Sequence, residues 1–234
     1  MEKKVIVISL GGSLIIPDKI NYKLLKEFRH VLEKNKRNYK FVVVCGGGKT
    51  ARNYIDGLNQ EKIEPKKKEY FQSLLGIAST RLNARFMTYF FGKDANEGIP
   101  HDMEEIKHLL RFNDFVFCGA LRYADKQTSD STSAKLANYF NTEFINLTDV
   151  AGLYDKNPKK FKNAKFIPEI SPRQFLKIAK KQGFKPGQHF VLDITAAKII
   201  KKNKTITYIL GSDMKQLDNL LNNRHFIGTT ISSD

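Results

Sequence analysis

FVVVCGGGKTAR, from Phe41 to Arg52, joins an apolar run to three glycines and then to a polar segment that suits a helix. The run carries three consecutive valines, the composition of a strand covered on both faces. Gly46, Gly47 and Gly48 stop that strand, and Lys49 to Ile55 reads as a helix start. Residues without Cβ atoms let backbone N–H groups crowd around an anion, and a helix N-terminus adds partial positive charge. Lys49 and Arg52 supply two full charges beside it. The outline is that of a phosphate cradle.

Two other cradles compete for the same residues. A Walker A loop needs a glycine five positions before the Gly-Lys-Thr triplet, and Val43 stands there. The dinucleotide fingerprint does fit Gly46, Gly48 and Ala51, but it also expects a second strand ending in an acid about 20 residues on. That region reads EKIEPKKKEY, too charged for a buried strand. A tight turn without a ligand also stays open, although three glycines in a row are a costly way to build one.

Outward from this segment, other strands stop in the same way. KVIVISL (Lys4 to Leu10) precedes Gly11, Gly12 and Ser13, and Phe115 to Cys118 precedes Gly119. In a parallel sheet such ends share one edge, where α/β folds bind ligands. Between them, Tyr22 to Lys36 predicts an amphipathic helix with Leu25, Phe28 and Leu32 on one stripe. Glu69 to Tyr89 predicts a long helix carrying Leu74, Leu75, Ala78, Leu82 and Phe86. Met103 to Leu110 predicts another, and Asp130 opens one that ends near Phe140. The last third alternates extended segments (Glu143 to Leu147, Phe166 to Ile170, Ile206 to Leu210, Phe226 to Ile231) with helices (Pro172 to Gln182, Asp193 to Lys202, Met214 to Asn222). A glycine- and lysine-rich loop is expected up to His189. The fold class expected is α/β, a three-layer α/β/α sandwich with a mostly parallel central sheet, in one domain over residues 1–234.

Composition narrows the function. No apolar run approaches membrane-spanning length, and Met1-Glu-Lys-Lys does not lead into a cleavable signal, which makes the cytosol the default location. Cys45 and Cys118 each precede a glycine at a strand end and suit small buried hydrophobes better than a disulfide. The net charge of +16 raises nucleic-acid binding, but the lysines lie in short scattered groups with no aromatic-rich basic motif beside them. A lysine-rich solvated surface that attracts small anions fits better. The five histidines show no metal-ligand spacing.

Six ordered segments carry a resemblance: ISLGGSLI, VVVCGGGKTAR, LLGIASTRLNA, TSDSTSAKLA, LTDVAGLYDKNP and LDITAAKII. Together they resemble the amino-acid kinase superfamily, and within it the archaeal type of uridylate kinase. The resemblance implies a carbamate-kinase-like fold, phosphoryl transfer from ATP with Mg²⁺ to UMP, and a homo-oligomer, hexamer or dimer. By the same resemblance, Gly12 and Ser13 contact ATP phosphates, and Gly48 and Arg52 lie on the donor side. Thr148, Tyr154 and Asn157 fall in the segment around the ATP base and ribose. Gly47 lines the acceptor phosphate, and Ser73 and Thr128 stand at acceptor positions. Asp193 matches a position near the donor phosphates that is a lysine in related kinases. Arg52 and Asp193 are thus the implied catalytic residues.

The chain also departs from that pattern. Ser9 stands where many members carry lysine, Ser73 where Asp is usual, and Ala151 and Asn157 replace two aspartates. The loop ALRYADKQTS (Ala120 to Ser129) is longer than its counterpart and lacks that counterpart's glycine and histidine. Two rivals therefore stay open: a kinase for another small anionic acceptor, and a nucleotide-binding or storage subunit without catalysis.

Overall fold

The computed structural model of the chain describes residues 3–123, 128–182 and 191–233. Residues 124–127 of the Ala120–Ser129 loop and the loop expected at 183–189 lie outside the described residues. In chain order the elements are β1 (Lys4–Leu10), α1 (Gly12–Ile15), α2 (Tyr22–Asn35), β2 (Tyr39–Cys45), α3 (Gly48–Asn59) and α4 (Pro65–Phe91). Then follow α5 (Met103–Leu109), β3 (Phe115–Cys118), α6 (Ser129–Tyr139), β4 (Phe144–Leu147), β5 (Leu153–Tyr154), β6 (Phe166–Ile167) and β7 (Glu169–Ile170). The chain closes with α7 (Pro172–Gln182), α8 (Ile194–Asn203), β8 (Thr207–Leu210), α9 (Met214–Leu221) and β9 (Thr229–Ile231).

Seven strands form one sheet in the order β3-β2-β1-β4-β8-β9-β7. All its pairs are parallel except β8 with β9. Each central strand is buried on both faces because alternate side chains enter two cores. Ile6, Ile8, Leu10, Phe41, Val43, Phe115 and Phe117 meet Leu25, Phe28 and Leu32 of α2 and the inner face of α9. Val7, Val42, Val44, Val116 and Cys118 meet Ile106 of α5, Leu136 of α6, Phe175 of α7 and Ile200 of α8 on the other side. This is why the strands read as unbroken apolar runs, and it gives the three layers expected. Cys45 and Cys118 are both free and buried in these cores. Burial pushes the Cys118 thiol up to about 12, so it packs as a small hydrophobe.

The extended segment Phe166 to Ile170 divides between two sheets: β6 pairs antiparallel with β5 in a separate small sheet, and β7 pairs with β9 at the edge of the main one. One correction concerns α4. It starts at Pro65, four residues before Glu69, because Glu64 caps it by accepting from the N–H groups of Lys66 and Lys67, with proline at the first helical position. Much of its apolar stripe does not face the core: Leu74 and Leu82 are 38% and 59% exposed and Ala78 is exposed too, while Phe86 packs partly buried against it. The buried face holds Ser79, Thr80, Asn83, Ala84, Met87, Thr88 and Phe91 instead. Small and polar residues turn inward because that face lies against loop backbone, which needs close approach and hydrogen-bond partners.

The strand order places the site. Strands β2 and β3 run outward from β1 on one side, and β4 and β8 on the other. The order therefore reverses between β1 and β4, and a crevice opens beyond their carboxyl ends. Among the described residues, no helix is long and apolar enough to cross a membrane.

Candidate active site

The crevice is a cavity of about 240 Å³ lined by the turns that follow β1, β2 and β4. Gly11, Gly12 and Ser13 form one wall, Gly46, Gly47, Gly48 and Arg52 a second, and Leu147 to Val150 a third. The segment Gly152 to Lys159, apart from Asp155, continues the third wall outward, and Ser129, Asp130 and Val191 add the floor near α6 and α8.

The two glycine turns touch through their backbones. A Cβ on Gly12 would lie 2.0 Å from the Gly48 nitrogen, and one on Gly48 would lie 2.4 Å from the Gly12 carbonyl oxygen. Gly48 also has φ +62°, in the region that favours glycine. Hydrogen bonds lock the contact: Gly46 N–H donates to Leu10 O at 2.9 Å and Lys49 N–H to Ile16 O at 2.9 Å. Gly11 N–H donates to Leu147 O at 3.0 Å, tying the first turn to β4. Gly47 differs from its neighbours. Its missing Cβ faces Ala51 and the Ser79 side of α4, so its glycine leaves room for the helix as well as for an anion.

Three of the longer helices begin at this place. α3 starts at Gly48 and α6 at Ser129, both in the cavity wall, and α8 starts just after Val191. Converging helix N-termini supply partial positive charge and suit a phosphorylated ligand. Arg52, Lys156 and Lys159 add full charges to the lining. Arg52 is half-buried one turn into α3, and among the described residues its guanidinium makes only a long 3.4 Å bond, from Nη2 to Pro17 O, so it can turn to an anion at small cost. Lys159 pairs with Asp149 across the mouth. Lys49, in contrast, does not line the cavity.

Of the residues singled out in the sequence, Gly12, Ser13, Gly47, Gly48, Arg52, Thr148, Tyr154 and Asn157 come together in this lining. Ser73, Thr128 and Asp193 do not. The Ser73 hydroxyl donates back to Glu69 O at 2.9 Å within α4. Thr128 and Asp193 are both helix caps. Thr128 accepts from Ser131 N–H at 3.1 Å at the start of α6, and Asp193 accepts from Thr195 N–H at 2.6 Å and Ala196 N–H at 3.0 Å at the start of α8. The Thr128 hydroxyl donates to the free oxygen of Asp193, joining the two helix ends. Replacing Asp193 by Ala is expected to cost about 1 kcal/mol of stability in urea unfolding, and Asn, which also caps, about half of that or less.

Sequence reasoning missed Asp130, Asn146, Lys156 and Lys159. The two lysines sit in a run that reads as solvated surface, and Asp130 reads as an ordinary helix opener. Asp130 accepts from the buried Ser9 hydroxyl at 2.9 Å, so Ser9 serves as its partner from the end of β1. Desolvation of its carboxyl, and then the Asp193 carboxylate nearby, push Asp130 up to about 7, with the Ser9 bond pulling the other way. The folded-state value thus lies above the ordinary 3.8, so Asp130 favours the folded state most at low pH and that contribution is lost as pH rises through about 7. Asp130→Asn is expected to flatten this fall. Urea midpoints taken below about pH 5 and above about pH 8 check it, and a wild-type slope retained in the variant contradicts the assignment.

Comparison with known proteins shows the family and the fold. The model of the amino acid kinase family matches residues 4–211. A uridylate kinase of Thermoplasma acidophilum is 33% identical over 231 residues, 98% of this chain and 97% of that protein. One from Thermococcus kodakarensis is 31% identical over 228 residues, 97% and 98% of the two chains. The crystal structure of the uridylate kinase from Archaeoglobus fulgidus superposes with a TM-score of 0.82 at 31% identity, covering 97% of this chain and 99% of that one. An aspartate kinase from Synechocystis shares the fold, with a TM-score of 0.72 at 16% identity, over 40% of its own length. With the family model matching residues 4–211 and uridylate kinases 31% and 33% identical over nearly the whole length, the chain belongs to the amino acid kinase family.

Proposed function

We propose that the chain transfers the terminal phosphoryl group of ATP to UMP, giving ADP and UDP. Support for phosphoryl transfer comes chiefly from one observation, the pair of touching glycine turns at which the α3 N-terminus and Arg52 meet. Support for UMP as acceptor comes from the uridylate kinases to which the chain is similar over nearly its whole length. The ATP base and ribose would take the side of Thr148, Tyr154 and Asn157. Its phosphates would lie over Gly12, Ser13 and Gly48, with Arg52, Lys156 and Lys159 offsetting charge. Gly47 would face the acceptor phosphate, with Ser73 and Thr128 on the nucleoside side of it.

In this transfer an oxygen of the UMP phosphate bonds to the γ-phosphorus while the bond to the β,γ-bridging oxygen breaks. The attacking oxygen is already ionised, so positioning and charge neutralisation carry the step and no strong base is needed. Arg52 stabilises the charge on the transferring group, and Asp193, joined to Thr128, fixes the two helix ends that point at it. Among the described residues the carboxylates that line the cavity are Asp130 and Asp149, and these would contact the Mg²⁺ that accompanies ATP. The ion supplies charge neutralisation between the phosphates when bound. The same reading includes work in the cytosol as a homo-oligomer, hexamer or dimer.

ADP release from MgATP, measured against a panel of nucleoside monophosphates, tests the proposal. Turnover with UMP above all others is the expected result. Turnover with a different small anion selects the first rival. No turnover, with ATP still raising the melting temperature, selects the non-catalytic nucleotide-binding subunit, for which the substitutions at Ser9, Ser73, Ala151 and Asn157 speak.

A further inference from the structure

One turn in the middle of α4 holds two different loops. Asn83, 3% exposed, donates from Nδ2 to Gly46 O at 2.7 Å and to Gly47 O at 3.2 Å. It thereby grips the glycine turn from behind and leaves the cavity side of that turn clear. Two residues earlier, Arg81 donates from Nε to Ala120 O at 3.2 Å and from Nη2 to Leu121 O at 2.8 Å. Thr80 completes the grip by accepting from Ala120 N–H at 2.9 Å. The loop after β3 lies directly on the helix, for a Cβ on Gly119 would stand 2.7 Å from both the Arg81 nitrogen and the Thr80 hydroxyl oxygen.

This loop follows β3, which lies on the side of β1 away from β4. If the donor nucleoside occupies the β4 side and its phosphates the glycine turns, an in-line transfer places the acceptor beyond the turns. The walls there are α4 and the loop that Arg81 holds. On its far side the same loop is tied by Arg122 to Asp102 at 2.9 Å, and by Tyr123 packed edge-on against Tyr70 of α4 with ring centroids 5.2 Å apart.

We propose that Arg81 is a positioning residue for the acceptor, a splint that sets the separation between the glycine turn and the acceptor-side loop. The proposal rests on the phosphoryl-transfer function given above. Arg81 does not line the cavity. Its planar fork satisfies two successive carbonyls of a loop whose Ala120 and Leu121 are buried, and Asn83 fixes the other loop to the same helical turn. A lysine would offer one point charge and reach one carbonyl well. Displacement of an acceptor wall by about 1 Å is enough to cost up to about a hundredfold in rate.

The test compares Arg81→Ala and Arg81→Lys with the unaltered chain, by KM for UMP and for ATP and by amide hydrogen exchange. The alanine variant is expected to raise KM for UMP by about tenfold or more, with KM for ATP within about twofold and lysine recovering part of the loss. Exchange is expected to rise at residues 120–123 and to stay unchanged at Gly46 to Gly48. An equal rise in both KM values, an unchanged KM for UMP, or a uniform rise in exchange overturns the proposal. The lysine variant covers the case in which alanine fails to fold. Should the unaltered chain not phosphorylate UMP, it is the proposed function that fails. Exchange then still decides for Arg81: a rise confined to 120–123 supports its hold on the loop, and no local rise overturns it.

Discussion

Arg52→Ala is expected to lower kcat for UMP phosphorylation by about a hundredfold or more, or about 2.7 kcal/mol, in the range of lost electrostatic stabilisers. The position explains the size of the effect. The guanidinium projects from the first turns of α3 into the cavity wall, beside the glycine turns on which the phosphates would lie. Among the described residues only a long bond to Pro17 O engages it, so little has to be broken when it meets an anion. Charge accumulates there in the transition state, and a preorganised cation gains more from that charge than from the bound substrates. Arg52→Lys recovers part of the loss, because a point charge replaces a planar fork. Lys49→Ala provides the contrast: its side chain does not line the cavity, and turnover should stay within about threefold of the unaltered chain. Steady-state kinetics under saturating UMP and ATP distinguish the two. Unchanged kcat in Arg52→Ala removes Arg52 from the transferring phosphate.

The sheet was legible because its strands are buried on both faces. KVIVISL and FVVVC carry no polar alternation to confuse, and each stops at glycine where backbone must meet backbone. The cavity's glycines and Arg52 were legible for the same reason, since they follow strand ends that a parallel sheet brings to one edge, whereas Thr148, Tyr154 and Asn157 came from the family resemblance alone. The misread element, α4, shows the limit. Its periodicity points Leu74 and Leu82 inward, yet the face that matters carries Thr80, Arg81 and Asn83, whose partners lie 36 to 40 residues away in sequence. Hydrophobic spacing reports what a helix face can bury against side chains. It is silent on a face that holds loop backbone by hydrogen bonds. Asp130 escaped notice similarly: its raised pKa comes first from burial in the folded chain and then from Asp193 on another helix, while its hydrogen-bond partner Ser9 lies 121 residues distant.

Gly12→Ala is expected to reduce stability by about 3 kcal/mol or more, with loss of ATP-dependent stabilisation in the protein that still folds. The substitution adds a single methyl group, but there is no place for it. Its nearest neighbours would be the Gly48 nitrogen at 2.0 Å, the Gly48 Cα at 2.6 Å and the Gly46 carbonyl carbon at 2.8 Å. All three are backbone atoms, so no side-chain rotation can relieve the overlap. The two glycine turns must separate instead. That movement strains the Gly46 N–H bond to Leu10 O and the Lys49 N–H bond to Ile16 O, and it shifts the start of α3, which carries Arg52. Stability and ligand binding therefore fall together, which distinguishes this change from a purely catalytic one. Gly57→Ala is the control. It lies in the same helix α3, exposed, with nothing within 4 Å of the added Cβ, and should be neutral or stabilising by up to about 1 kcal/mol. Urea unfolding with and without MgATP measures both quantities. A Gly12→Ala protein with an unaltered urea midpoint and an unaltered response to MgATP would mean that the turns do not touch as described, and the phosphate cradle built from them would have to be abandoned.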